Sequence, residues 1–298
     1  MRFLLLSRQS TNQSSKRLIA AVAERGHELA GVDPLECVLE VGHRAPGDRG
    51  LGLRTQEGPV DGIATLPRFG PGLTEFGLSL LRHFERAGIP GLNDSVSILS
   101  ARDKFRCLQI LSSSGVPVPR TILSRSSNPS DALKGFEGEH VVAKVLQGSQ
   151  GTGVVRLERG PRGQDWLDRA WAEKQNILVQ EYVPGAESDI RLFVVGDRVV
   201  ASMRREAVDG FRSNLHVGAK SSAYEASSTL EDLAIRATGA VGLDVAGVDV
   251  IESTEGPMVL EVNPSPGIEG IEAATGVDVA GAVADALIAL AERTEETA

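Results

Sequence analysis

Three oxygen-bearing side chains in the last quarter of the chain stand at spacings suited to a hard cation. Asp249 sits in the apolar run Val248-Asp249-Val250-Ile251. Glu261 and Asn263 stand two apart in the run Met258-Val259-Leu260-Glu261-Val262-Asn263. Residues i and i+2 of a strand share a face. If Ser253-Thr254-Glu255-Gly256 closes the two runs into a hairpin, Asp249 joins the other two. Two carboxylates and an amide oxygen, with no His or Cys in the segment, suit Mg²⁺ or Mn²⁺ rather than zinc. Magnesium held by few protein oxygens completes its shell with water and nucleotide phosphates. The plain alternative is a hairpin whose acids simply face water. Against it, the second run enters Pro264-Ser265-Pro266-Gly267 directly, a rigid turn that ends the strand at the three donors.

Groups able to meet phosphates lie upstream. Lys144 leads into Gln147-Gly148-Ser149-Gln150-Gly151-Thr152-Gly153, between two β-like runs. No Gly-Lys-Ser/Thr follows, so this is not a Walker A loop, and neither the glycine spacing nor a following helix makes it a dinucleotide fingerprint. Gly148, Ser149, Gly151 and Gly153 instead form a hairpin loop whose amides can lie over phosphate oxygens, with Lys144 as a point charge. The alternative is an ordinary glycine-rich turn. Lys104 is a second candidate cation. Gln180-Glu181-Tyr182-Val183 ends an apolar strand, where backbone groups can meet an adenine edge. Asp189, a short turn later, is placed for a ribose hydroxyl. Arg212-Ser213-Asn214 would bring a guanidinium and an amide to the phosphate end. A local basic patch of Arg204, Arg205, Arg212 and Lys220 could also face phosphates. His140 and His216 lack metal spacing and read as structural or surface residues.

These groups need a scaffold, and 298 residues allow two domains or one large domain with subdomains. A formal net charge of −9 argues against a duplex-binding protein. An aromatic content of 4% argues against stacking platforms for single strands, so no direct nucleic-acid contact is expected. Cys37 and Cys107 have no CxxC pattern and read as unpaired thiols of a reducing cytosol. The apolar start is too short for a signal peptide and no run reaches the ~20 residues of a membrane span. A cytoplasmic protein without membrane contact is the expectation.

Strands at 3–6, 27–32 and 62–66 alternate with helices at 14–25 and 73–87, predicting a small parallel α/β domain. Gly26 and Gly88 fit as helix ends. Residues 46–59 read as a loop, and one long helix is predicted from 95 to 114. Short strands at 121–123, 140–146, 153–157 and 177–183, with a helix at 164–174, predict an α+β segment. Strands at 191–195 and 199–205, the 247–263 hairpin, and helices at 229–241 and 277–293 complete the chain.

In this order the motifs strongly resemble the ATP-grasp superfamily, and within it the RimK-type glutamate ligases. The resemblance spans essentially the whole chain. It is carried by LLSRQS, ARDKFRCLQILSSSGVPVP, VVAKVLQGSQGTGV, ILVQEYV, SDIRLFVVGDRVVASMRR, FRSNLH and, most specifically, EVNPSPGIEGIE. It implies an α/β N-terminal pre-ATP-grasp domain (1–94) followed by an α+β ATP-grasp fold of two subdomains. These are a linker helix and central subdomain (95–188) and a C-terminal subdomain (189–298). It further implies that Lys104 and Lys144 contact ATP phosphates, with Arg212, Ser213 and Asn214 near them. Gln180, Glu181, Tyr182 and Val183 would bind adenine and Asp189 ribose, while Asp249, Glu261 and Asn263 hold two metal ions.

The activity implied is joining an amine to a carboxylate through an acyl phosphate, with Lys144 and Arg212 in catalytic roles. Arg212 is the first candidate for stabilising the tetrahedral oxyanion, and no Ser or Cys nucleophile is required. RimK-type enzymes add L-glutamate to the C-terminus of a small-subunit ribosomal protein or build poly-α-glutamate, and RimK-like proteins suggest a homotetramer. Relatives serve small-molecule cofactor or carrier-protein acceptors. The chain departs from the pattern after His216, where Val217-Gly218-Ala219-Lys220 replaces an arginine and two glycines. This bears on the acceptor more than on ATP. A catalytically silent nucleotide-binding regulator is the reading from another class, and the complete Asp-Glu-Asn set speaks against it.

Overall fold

The computed structural model describes residues 1–8, 12–42, 50–56, 58–124, 130–145, 154–173, 175–184, 188–206 and 220–297. It begins with β1 (Arg2–Leu6), α1 (Gln13–Glu24) and β2 (Glu28–Val32), followed by β3 (Val38–Val41), β4 (Leu51–Thr55), β5 (Gly58–Pro59), β6 (Thr65–Pro67) and α2 (Thr74–Ala87). Strands β2-β1-β6 form a parallel sheet, as the alternation of runs predicts. Phe3, Leu4, Leu5 and Leu6 are all buried, consistent with a strand covered on both faces. Asn12 caps α1 by accepting from the Ser15 amide at 2.7 Å. Gly88 ends α2 in the left-handed conformation, φ 90°.

Two expectations change here. Within the segment expected to be a loop, β4 pairs with β3 and β5 with β4 in a small antiparallel sheet. The third parallel strand is Thr65–Pro67. Ile63 and Ala64 still hydrogen-bond to β1 through Arg2 and Leu4, so the predicted run lies alongside β1 while the ladder begins only at Thr65.

The predicted long helix is two helices, α3 (Ser95–Arg102) and α4 (Lys104–Ser113). Asp103 divides them. Its backbone is extended, and its carboxylate accepts from the amides of Phe105 and Arg106 at 3.1 and 3.0 Å. An aspartate that caps a new helix cannot also continue the old one. Lys104 thereby becomes the first residue of α4.

A central α+β unit follows: β7 (Thr121–Leu123), α5 (Ser130–Lys134), β8 (His140–Val145), β9 (Val154–Glu158), α6 (Pro161–Ala172) and β10 (Ile177–Glu181). Its antiparallel sheet has the order β7-β10-β8-β9. Its core, including Val141, Ala143, Leu167, Ile177 and Val179, is separate from the rest. The last unit contains β11 (Ser188–Val195), β12 (Arg198–Glu206), β13 (Lys220–Ala223), α7 (Ser228–Val241), β14 (Val245–Ser253), β15 (Gly256–Asn263), α8 (Glu269–Thr275) and α9 (Val279–Thr297). Its sheet runs β13-β12-β11-β14-β15, antiparallel throughout.

The first and last units are fused through apolar contact. Phe3, Leu5, Leu18 and Val22 share a core with Phe193, Ile268, Val283 and Leu287. Burying each such side chain contributes roughly 1.5–3 kcal/mol. Arg17 pairs with Glu272 and Asp278, and Arg25 with Asp285, at the edge of this contact. The central unit therefore keeps its own core beside the larger fused one.

Cys37 and Cys107 are buried free thiols, and burial pushes them up to about 11 and about 12. Such thiols are unreactive near neutral pH. Among the described residues no helix is long and apolar enough to cross a membrane.

Candidate active site

The hairpin forms as its turn residues predict. Ser253 pairs with Gly256, Asp249 lies directly opposite Glu261, and Gly247 opposite Asn263. All three oxygen donors therefore project from one sheet face. The register shifts next to Asp249, where Val250 pairs with Val259 and Leu260 is the extra residue. Bulges of this kind re-aim neighbouring side chains and recur beside active sites. The turn that follows packs onto the hairpin. A Cβ at Gly247 would come within 2.8 Å of Pro266, and the Ser265 amide donates to Asn263 Oδ1 at 3.0 Å.

Behind these donors runs a row of buried charge across the sheet. Arg205 on β12 faces Asp189 on β11, with both nitrogen–oxygen distances 2.6 Å. Arg191, also on β11, faces Asp249 on β14 with both at 2.7 Å. Arg205 reaches Asp249 as well, at 2.9 Å. Burial alone would raise the Asp249 pKa, but the Arg191 and Arg205 guanidinium groups overcome it and hold the carboxyl below its ordinary value. Burial likewise works against the charge on Arg205, and Asp249 and Asp189 together more than restore it.

Arg191 and Arg205 are the residues that reading the sequence missed. The phosphate-facing reading of Arg204-Arg205 is corrected: Arg205 is committed to the two aspartates, while Arg204 meets Ser188 at 3.1 Å and Glu252 at 3.0 Å over the Tyr224 ring. The available signal was charge at alternate positions within apolar strands, Asp189-Ile190-Arg191 above all.

Removing this cation should be costly. Arg205→Met leaves two buried carboxylates short of a partner and is expected to lower stability by about 3–5 kcal/mol at neutral pH. Because the Asp249 pKa is depressed in the folded state, its contribution is present above the ordinary carboxylate range and is lost as pH falls below it. The deficit of the variant should therefore shrink on acidification, which parallel denaturant titrations from pH 7 to pH 3 would measure.

Lys144 is the penultimate residue of β8 in the central unit and is half-buried. Burial draws its pKa down; Glu261 and Asp249 oppose this, and Lys104 adds to it. Lys104, Asp249 and Glu261 thus all lie within electrostatic range of Lys144, although the four belong to α4, β8, β14 and β15. On β10, Gln180 donates to Thr121 Oγ1 at 2.8 Å and Glu181 accepts from the Arg120 amide at 2.7 Å. The sheet pairing of β10 ends at Glu181. Tyr182 beyond it meets the His140 ring and the Arg156 guanidinium, and Val183 is buried. Both Asp189 oxygens accept from Arg205. Gly148, Ser149, Gly151, Gly153, Arg212, Ser213, Asn214 and His216 lie outside the described residues, as does the departure at Val217-Gly218-Ala219.

The donor chemistry of Asp249, Glu261 and Asn263 fits a divalent metal with oxygen preference. Among the described residues no cluster of three or more His, Cys, Asp or Glu is placed to hold a metal ion; here the third oxygen donor is the Asn263 amide.

A pre-ATP-grasp-like α/β unit, a separate antiparallel central unit bearing Lys144 and a last unit bearing the oxygen donors together make the architecture of ATP-grasp ligases. Residues 1–98 match the RimK PreATP-grasp domain and residues 101–287 the RimK-like ATP-grasp domain. The chain belongs to the RimK-like ATP-grasp family and is an ATP-dependent ligase; its fold implies ATP and a divalent metal.

Among its relatives is a protein named "Probable alpha-L-glutamate ligase 1" from Shewanella amazonensis. It is 42% identical over 286 residues, covering 95% of this chain and 94% of the relative. A "Probable alpha-L-glutamate ligase" from Pseudoalteromonas translucida is 43% identical over 290 residues, covering 96% and 94%. Among solved structures, the ATP-grasp ligase PsnB complexed with a minimal precursor, Mg and ADP superposes with a TM-score of 0.73 at 22% identity, covering 98% of both chains. A RimK domain ATP-grasp protein from Sphaerobacter thermophilus gives 0.71 at 24%, covering 97% of this chain and all of the other.

Proposed function

We propose that this ligase joins L-glutamate to the C-terminal carboxylate of a peptide or protein, such as a small-subunit ribosomal protein, or extends poly-α-glutamate. The observation that carries the reading is the convergence of Asp249, Glu261 and Asn263 on one face of the hairpin, with Lys144 of the central unit in electrostatic range of Asp249 and Glu261. The names of the 42–43% identical relatives support glutamate as the amino acid added.

ATP, with Mg²⁺ or Mn²⁺, supplies the phosphoryl group that converts the acceptor carboxylate into an acyl phosphate, from which the incoming amine displaces phosphate. Phosphoryl transfer asks the protein chiefly for positioning and charge compensation. Asp249, Glu261 and Asn263 would hold the metal ions. Arg191 and Arg205 fix the Asp249 carboxylate in its ionised form from behind, so its orientation is set before any ligand arrives. Lys144 and Lys104 would receive the phosphates. Bringing an anion to the half-buried Lys144 offsets its desolvation. The end of β10, from Gln180 to Val183, would hold adenine, and Asp189 the ribose. Arg212, with Ser213 and Asn214, would sit at the reacting phosphate, and the loop of Gly148, Ser149, Gly151 and Gly153 would shield the acyl phosphate from water. A homotetramer is part of the same reading and is open to sedimentation analysis.

The test supplies ATP, Mg²⁺, glutamate and a peptide ending in glutamate, following phosphate release and product mass. Acceptor-dependent release with successive glutamate additions is expected. Ligation only onto a small-molecule or carrier-protein acceptor would move the assignment to that class. If no acceptor raised turnover, the glutamate reading would fail.

A further inference from the structure

Arg68 follows β6 at the carboxyl end of the parallel sheet, the edge where open α/β sheets bind ligands. Its backbone is held on every side. The Arg68 amide donates to Leu6 at 2.8 Å. The preceding carbonyl, of Pro67, accepts from Ser265 Oγ at 3.4 Å. The carbonyls of Phe69 and Gly70 accept from Arg102, whose guanidinium also lies over the Phe69 ring. Phe69 in turn is buried against Gly77, where a Cβ would come within 2.7 Å of the ring.

The side chain on this rigid loop is half-buried, yet its guanidinium has no hydrogen-bond or ion-pair partner among the described residues. Burial draws its pKa down to about 10, and no neighbouring acid opposes the shift. Its neighbours in the fold differ: Arg102 spends its donors on the loop, and Arg191 and Arg205 face aspartates. A desolvated cation without a partner is a cost to the fold unless a ligand completes it.

Two features say what that ligand is. Ser265, which touches the Arg68 loop, also holds Asn263 through its amide, so Arg68 borders the candidate reaction centre. Among the described residues no hydrogen bond or ion pair ties Arg68 to Asp249 or Glu261, so its guanidinium is not committed to the candidate metal ligands. An incoming glutamate reacts through its amine and keeps both carboxylates, which need a cation outside the phosphate set. A planar guanidinium takes a carboxylate with two parallel hydrogen bonds.

We propose that Arg68 binds a carboxylate of the incoming glutamate, at the end of that substrate remote from the reacting atoms. This rests on the glutamate-ligase reading above. In Arg68→Ala the KM for glutamate should rise about 10- to 100-fold, with affinity for Mg²⁺–ADP unchanged and partial recovery in Arg68→Lys. The melting temperature of the ligand-free Arg68→Ala protein should equal or exceed that of the parent, whereas a structural arginine would lower it. Glutamate binding, measured by calorimetry with Mg²⁺–ADP present, separates the two readings. Glutamate bound by the parent but not by Arg68→Ala supports the role of Arg68 even if no ligation follows, in which case only the catalytic reading fails. Equal glutamate binding by parent and variant, or none by the parent, overturns the proposal.

Discussion

Replacing Glu261 by Gln is expected to cut turnover by about a thousandfold or more, since a bound metal contributes several kcal/mol to the transition state. The fold should hardly notice. Glu261 is exposed and makes no hydrogen bond or ion pair among the described residues, and surface changes of that kind usually stay within about 0.5 kcal/mol. Gln keeps the shape and one carbonyl oxygen but removes the charge. Asp249 cannot stand in for it, because that carboxylate is already balanced by Arg191 and Arg205. Phosphate-release kinetics at saturating ATP, with a thermal melt of the same preparation, would check this. Near-parental turnover in a normally folded variant would remove Glu261 from the metal site.

Asn93→Asp should give the largest loss of stability, roughly 3–5 kcal/mol for a buried, unpaired charge. Asn93 is 1% exposed and uses its whole amide. Its nitrogen donates to the carbonyls of Val245 and Pro264 at 2.8 and 2.9 Å. Its oxygen accepts from the amides of Asp244 and Val245 at 2.7 and 2.8 Å. An aspartate would turn an oxygen toward two carbonyl oxygens; protonation would restore one donor where two are needed. The damage would reach the site, because Pro264 follows Asn263 and β14 begins at Val245. Urea unfolding of the variant against the parent measures the loss, and a change below 1 kcal/mol would show that Asn93 is not the joint between the first and last units that its hydrogen bonds describe.

What could be read from the chain was local. A period of two put Glu261 and Asn263 on one face, and a four-residue polar turn was enough to bring Asp249 opposite them. The α/β alternation foretold a parallel sheet, and Gly88 foretold the end of α2. The break at Asp103 escaped because α3 and α4 are both apolar-patterned and the residue between them favours a cap only once its carboxylate finds the Phe105 and Arg106 amides. Strands β4 and β5 escaped because their sequence is rich in glycine and charge, and only pairing, β4 with β3 and β5 with β4, makes them strands.

The amino-acid sequence by itself determined the donor set, the order of the motifs and the membership of the family that they mark. These depend on residue type and short spacing. Only the tertiary structure decided which charges neutralise one another. Asp249 and Arg191 are 58 residues apart and Asp189 and Arg205 are 16 apart, yet sheet order makes them neighbours and buries them together. It also decided that Arg102 would be satisfied by its loop while Arg68, on that same loop, would not. Whether a charge is met depends on what the fold brings to it, because Coulomb attraction and desolvation depend on distance and burial in space, not on separation along the chain.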